Sequence, residues 1–98
     1  MLSSRQRSKL AGLAQEMEPQ IHLGKGGASE GVEAQLDKLL ADHELVKMRF
    51  VDFKESRHEL AAELADRTGS EIVRVIGNVA VLWRRSHNPE KRRIDLED

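Results

Sequence analysis

The apolar residues of this chain switch between two spacings, and the order of the switches constrains the fold more than any other feature. Leu10, Leu13, Ala14 and Met17 recur at three and four, as do Val32, Leu36, Leu39 and Leu40, and later Leu60, Ala61, Leu64 and Ala65. Such spacing puts each group on one face of a helix. Between and after these stretches, "QIHL", "ELVKMRFV", "EIVRVIG" and "VAVLWR" have the composition and alternation of short strands. The order is helix, strand, helix, strand, helix, strand, strand. Strands separated by helices are expected to pair in parallel through right-handed crossovers, and the final hairpin adds one antiparallel strand. The expected fold class is α/β, a two-layer sandwich with a mixed four-stranded sheet.

Local signals punctuate this order. Ser3 and Gln6 have the spacing of a capping box, as do Ser56 and Glu59, while Ser29 is a good N-cap for the second helix. Pro19 ends the first helix, "DFKES" is a turn, and Gly69 stands where a left-handed C-terminal cap belongs. Gly77-Asn78 is a tight hairpin turn. Val73 and Val75 alternate with the equally apolar Ile72 and Ile76, so the second face of the sheet must be covered, by helix one or by a partner. A chain of 98 residues supports one core. Residues 1–86 are expected to form that single domain, with residues 87–98 a polar, loosely held tail.

Several function classes find no support. There is no cysteine, and His22, His43, His58 and His87 are scattered, so no metal site is expected. No serine has the context of a nucleophile elbow, and no carboxylate pair is singled out for acid–base work. A non-enzymatic protein without cofactor or small-molecule substrate is expected. No apolar run approaches a membrane span, and "MLSSRQRSKL" turns polar at once, so a cytoplasmic monomer is expected.

The net charge is −1, yet the charge is sorted along the chain. Arg5, Arg7 and Lys9 open it without an acid; Glu30, Glu33, Asp37, Asp42 and Glu44 follow against Lys38 alone; Arg84, Arg85, Lys91, Arg92 and Arg93 come late against Glu90. Such a chain is dipolar while nearly neutral, which permits a basic face. "GKGG", Gly24 to Gly27, lies between a strand and a helix. It is neither a Walker motif nor GxGxxG. Amides free at a helix start favour an anion, glycines let a phosphate backbone approach, and Lys25 adds a mobile charge. Lys47 and Arg49 share one side of their strand, and Arg74 and Arg84 are candidates for the same side. With one Trp and no Tyr, base stacking is not expected to carry binding, so contacts should be to phosphate and sugar.

"LSSRQRSKLAGLA", "GKGG", "HELVKMRF" and "TGSEIVRVIGNVAVLWRRS" resemble, in order and spacing, the bacterial stand-alone CRM domain (chloroplast RNA splicing and ribosome maturation) of the YhbY type, over residues 2 to about 86. The resemblance implies a fold like the C-terminal domain of translation initiation factor three, and RNA binding without catalysis. It further implies association with ribosomal RNA in precursors of the large subunit. Carried over by position, the GxxG loop falls on Gly24, Lys25, Gly26 and Gly27 and the basic strand on Lys47 and Arg49; Arg5, Arg7 and Lys9 match the basic first helix in character, and Arg84 joins them as a candidate. Trp83 stands where Tyr is frequent, and the acidic "IDLED" finish ranks the tail below the loop as an RNA contact. The competing reading is a protein-interaction module that docks through its sheet face without RNA.

Overall fold

The computed structural model describes residues 1–52 and 54–96. Its elements run α1 (Ser4–Gln15), β1 (Ile21–Leu23), α2 (Glu30–His43), β2 (Leu45–Phe50), α3 (Arg57–Thr68), β3 (Glu71–Ile76) and β4 (Val79–Trp83). The α/β order read from the apolar spacing is therefore present, with a mixed four-stranded sheet.

The sheet order is β1-β2-β4-β3. β1 pairs parallel with β2, and β4 is antiparallel to both β2 and β3. The expected direct pairing of β2 with β3 does not occur, because the last strand inserts between them. The hairpin turn permits this: Gly77 has φ +56° and Asn78 has no positive φ, the pattern of a type II′ turn. β4 thus becomes a central strand, consistent with its burial from Ala80 to Trp83.

Apolar character on both parities has a structural cause. The β3–β4 register shifts between Ile72 and Arg74, as a bulge at Val73 would produce. Ile72 and Val75 pack with Leu36, Leu40, Met48, Phe50, Leu64 and Leu82, the core under α2 and α3. Val73 packs on the other face with Leu10, Ala14, Leu45, Val81, Trp83 and Leu96. Helix α1 and the end of the chain cover that second face. At the edge of that face Ile76 stays exposed and Val79 half-buried.

The first capping box forms in full, with Gln6 N donating to Ser3 Oγ (3.1 Å) and Ser3 N to Gln6 Oε1 (2.9 Å). Helix α1 stops at Gln15, ahead of Pro19. The second box does not form. Ser56 ends a 3-10 turn, and its φ −101°, ψ 17° is not the extended backbone that aims an N-cap hydroxyl at the helix. Phe53, in the expected "DFKES" turn, lies outside the described residues. Gly69 caps α3 at φ +66° as expected.

Residues 87–96 are not loose. Glu44 is buried with φ +66°, and its carboxylate accepts from Ser86 N (2.7 Å), Arg93 N (2.7 Å) and Ile94 N (3.3 Å). Lys91 Nζ donates to Asp42 Oδ1 (2.9 Å), Gln6 Nε2 to Leu96 O (2.9 Å), and Lys9 to the carbonyl of Asp95. Leu96 is buried in the second core. A segment polar in composition is held by its two apolar residues and by backbone donors meeting one buried carboxylate.

Two carboxylates fasten the chain ends. Leu2 N–H donates to Glu71 (3.0 Å), which, with the N-terminal ammonium and Arg7 nearby, holds the Glu71 carboxyl below its usual range against partial burial. The Lys91 hydrogen bond and charge likewise lower Asp42. Both contributions are complete above the unfolded carboxyl values, roughly pH 4, and are lost as pH falls through the lower folded values. Hydrogen-exchange protection of Leu2, whose amide Glu71 holds, is expected to fall below about pH 4 while the central strands stay protected.

Candidate nucleic-acid interface

The glycine loop is a closed turn. Gly27 N donates to Gly24 O (3.0 Å), which places Lys25 and Gly26 at its exposed tip. Leu23 O accepts from Val51 N (2.9 Å) and Asp52 N (3.3 Å), fixing the start of the loop against the end of β2. Arg67 of α3 donates to Ala28 O (3.1 Å) and holds the other side. Gly27 is buried at φ +61°, a left-handed conformation that strongly favours glycine. Gly24 and Gly26 carry no such requirement. A Cβ on Gly24 would meet nothing within 4 Å, and one on Gly26 would find only Ser29, at 4.0 Å. Neither glycine is required by internal packing, and each leaves backbone open to an outside group.

The helix start is a weaker anion site than its spacing implies. Ser29 Oγ already accepts from Val32 N (3.2 Å), and Glu30 and Glu33 lie in the first turn of α2. Those carboxylates suit the helix dipole but repel a phosphate. Glu30, Glu33 and Asp37 also line a groove between α2 and α3, making that side acidic.

The basic candidates divide by what their side chains already hold. Lys25, Arg49 and Arg5 are exposed and have no side-chain hydrogen bond or ion pair among the described residues. Arg49 lies opposite His22 in β1, two residues before the loop begins, so loop and arginine share one end of the sheet. Arg74 faces the same side as Lys47, both lining a hollow of about 170 Å³ beneath α1. Arg84 does not join them. Its guanidinium donates to Asp37 Oδ1 (2.6 Å), Asp37 O (3.0 Å) and Thr68 O (2.6 Å), tying β4 to the two-helix layer. Arg7 is turned onto the carbonyl of Ile72 and onto Glu71, and Lys9 onto the tail.

Lys47 is also in use. Its Nζ donates to Ala14 O and Met17 O, each at 3.0 Å. The last turn of α1 has no basic residue of its own, so β2 supplies the cation at the helix C-terminus. Lys47→Ala is expected to cost about 1–2 kcal/mol in a denaturant titration. An unchanged stability would return Lys47 to the freely solvated basic strand face expected from its alternation.

A family comparison bears on this arrangement: the model of the CRS1 / YhbY (CRM) domain matches residues 2–84. The chain belongs to the CRM domain family. A Pseudomonas aeruginosa relative, named a probable RNA-binding protein, is 30% identical over 92% of this chain and 88% of its own. An RNA-binding protein of Haemophilus influenzae is 33% identical, covering 97% and 94%. A probable RNA-binding protein of Bacillus subtilis is 30% identical, covering 98% and 99%. The solution structure of a hypothetical Staphylococcus aureus protein superposes with TM-score 0.79 at 34% identity, over 97% of this chain and 100% of that one. The CRM resemblance and its α/β fold are thus established for this chain.

Two contributors escaped the sequence reading. Arg67 supports the loop from a helix far away in the chain, and Glu44 organises the tail from a buried, positive-φ position. Neither has a local signal beyond its charge.

Proposed function

We propose that this CRM-family chain is an RNA-binding protein that associates with ribosomal RNA in precursors of the large ribosomal subunit and assists their assembly. It grips RNA backbone with the Gly24–Gly27 turn and Arg49, and acts without catalysis. The observation that carries this reading is the turn itself. An exposed lysine sits at its tip beside two glycines that internal packing does not need, near an exposed arginine, Arg49, without an internal partner among the described residues. The relatives' names supply the RNA; the large-subunit precursor follows from the family resemblance.

Arg5 belongs to the proposed contact surface by exposure. Lys47, Arg7, Lys9 and Arg84 act mainly by holding the elements that present it. Lys25→Ala is expected to weaken binding to a structured RNA by about three- to five-fold, a loss of roughly 0.5–1 kcal/mol. Its melting temperature should not change, because an exposed loop charge contributes little to folding. Equal affinity of variant and wild type would remove Lys25 from the site. Sedimentation of the tagged protein with large-subunit precursors, and its release by ribonuclease, tests the assembly role.

A further inference from the structure

The two basic ends of the chain meet in the folded protein. Arg85, Arg92 and Arg93 line one hollow of about 350 Å³ together with Ile94 and Asp95. Each guanidinium is positioned without being consumed. Arg92 Nε donates to Ser86 O (2.9 Å) and Arg93 Nε to Asp42 O (3.0 Å), so each keeps its terminal nitrogens available; Arg85 lies over the Trp83 ring at 5.7 Å. Asp95 is the one acidic lining residue and has contacts of its own, so three positive groups face one negative. Lys9 reaches the Asp95 carbonyl, bringing the basic face of α1 to the same rim.

We infer that this hollow is a second phosphate-binding place, taking the backbone of the same RNA that the glycine turn grips. Guanidinium groups tethered through Nε present a preset fork of donors, the geometry suited to phosphate oxygens. Tethering also removes the entropy cost that would disfavour a flexible basic tail. The two places lie at opposite ends of α2: the turn precedes its first residue, and Arg93 is bound to Asp42 near its last. A helix of 14 residues separates them by about 21 Å. No single phosphate reaches across that distance, so the ligand is an extended or double-stranded segment and not a lone phosphate.

This inference rests on the RNA-binding reading, and its test keeps the two apart. Salt dependence of binding is measured on a hairpin with a stem of about 12 base pairs, each phosphate contact contributing roughly 0.7–0.9 to the log–log slope. The combined Arg85→Gln, Arg92→Gln and Arg93→Gln variant is expected to lower the slope by about two and the affinity by about ten-fold. Arg85→Gln alone breaks no tail hydrogen bond, and is expected to lower the slope by nearly one with an unchanged melting temperature. A wild-type slope in both arginine variants, while Lys25→Ala still weakens binding, overturns the second site alone. A wild-type protein without salt-dependent hairpin binding overturns the RNA reading and this inference together.

Discussion

Glu44→Ala is expected to destabilise the protein by about 3 kcal/mol, because it leaves the N–H groups of Ser86, Arg93 and Ile94 without their acceptor. For a domain of this size that is a fall of roughly 12–24 °C in melting temperature. The loss should localise first at the chain end. Leu96 leaves the second core, Trp83 gains solvent, and its fluorescence shifts before the sheet unfolds. The backbone makes a further distinction. At φ +66° a non-glycine residue carries strain of order 1–3 kcal/mol, which alanine keeps and glycine relieves. Glu44→Gly is therefore expected to be less destabilising than Glu44→Ala, the reverse of the usual order inside regular structure. If glycine proves worse, backbone strain at Glu44 is not a significant term.

What could be read from the chain beforehand was whatever its local physics decides. Helix faces, the Ser3 box, the Ser29 cap and the Gly69 and Gly77 conformations each depend on a few neighbouring residues. The Ser56 box failed on that same scale, since a preceding 3-10 turn took the cap backbone out of the extended region. Long-range relations were not legible. Nothing in "VAVLWR" says that it inserts between β2 and β3, and nothing near Val73 marks the register shift. Within the proposed site, the exposure of the glycine turn and of Arg49 agrees with the expectation from motif and alternation. Lys47, Arg84, Arg7 and Lys9 had the right charge, but their partners are mostly backbone carbonyls far away in sequence. Composition shows a cation and not what it already holds. The tail was misjudged for the same reason, its fastening depending on Glu44, some fifty residues upstream of Arg93 and Ile94.

The glycine turn yields the second large effect. Replacing Gly24 and Gly26 together by Asp is expected to weaken RNA binding by about thirty-fold, while the domain remains folded. Each added carboxylate near a phosphate costs about 1 kcal/mol at solvent-exposed range, and two make roughly 2 kcal/mol. The fold tolerates both, since each new Cβ has space and neither backbone is left-handed. Gly27→Asp is not equivalent. Its buried, positive-φ position makes that substitution a test of stability, and binding lost there would say little about RNA.

The central claim, that RNA backbone lies on the exposed glycine turn between β1 and α2, is most directly tested by titrating isotope-labelled protein with an RNA hairpin and following the backbone amides. The largest shifts are expected at Gly24, Lys25, Gly26 and Arg49, with Glu33 and Asp37 in the α2–α3 groove unmoved. Shifts concentrated in that groove, with Gly24 to Gly26 unchanged at saturating RNA, would contradict it.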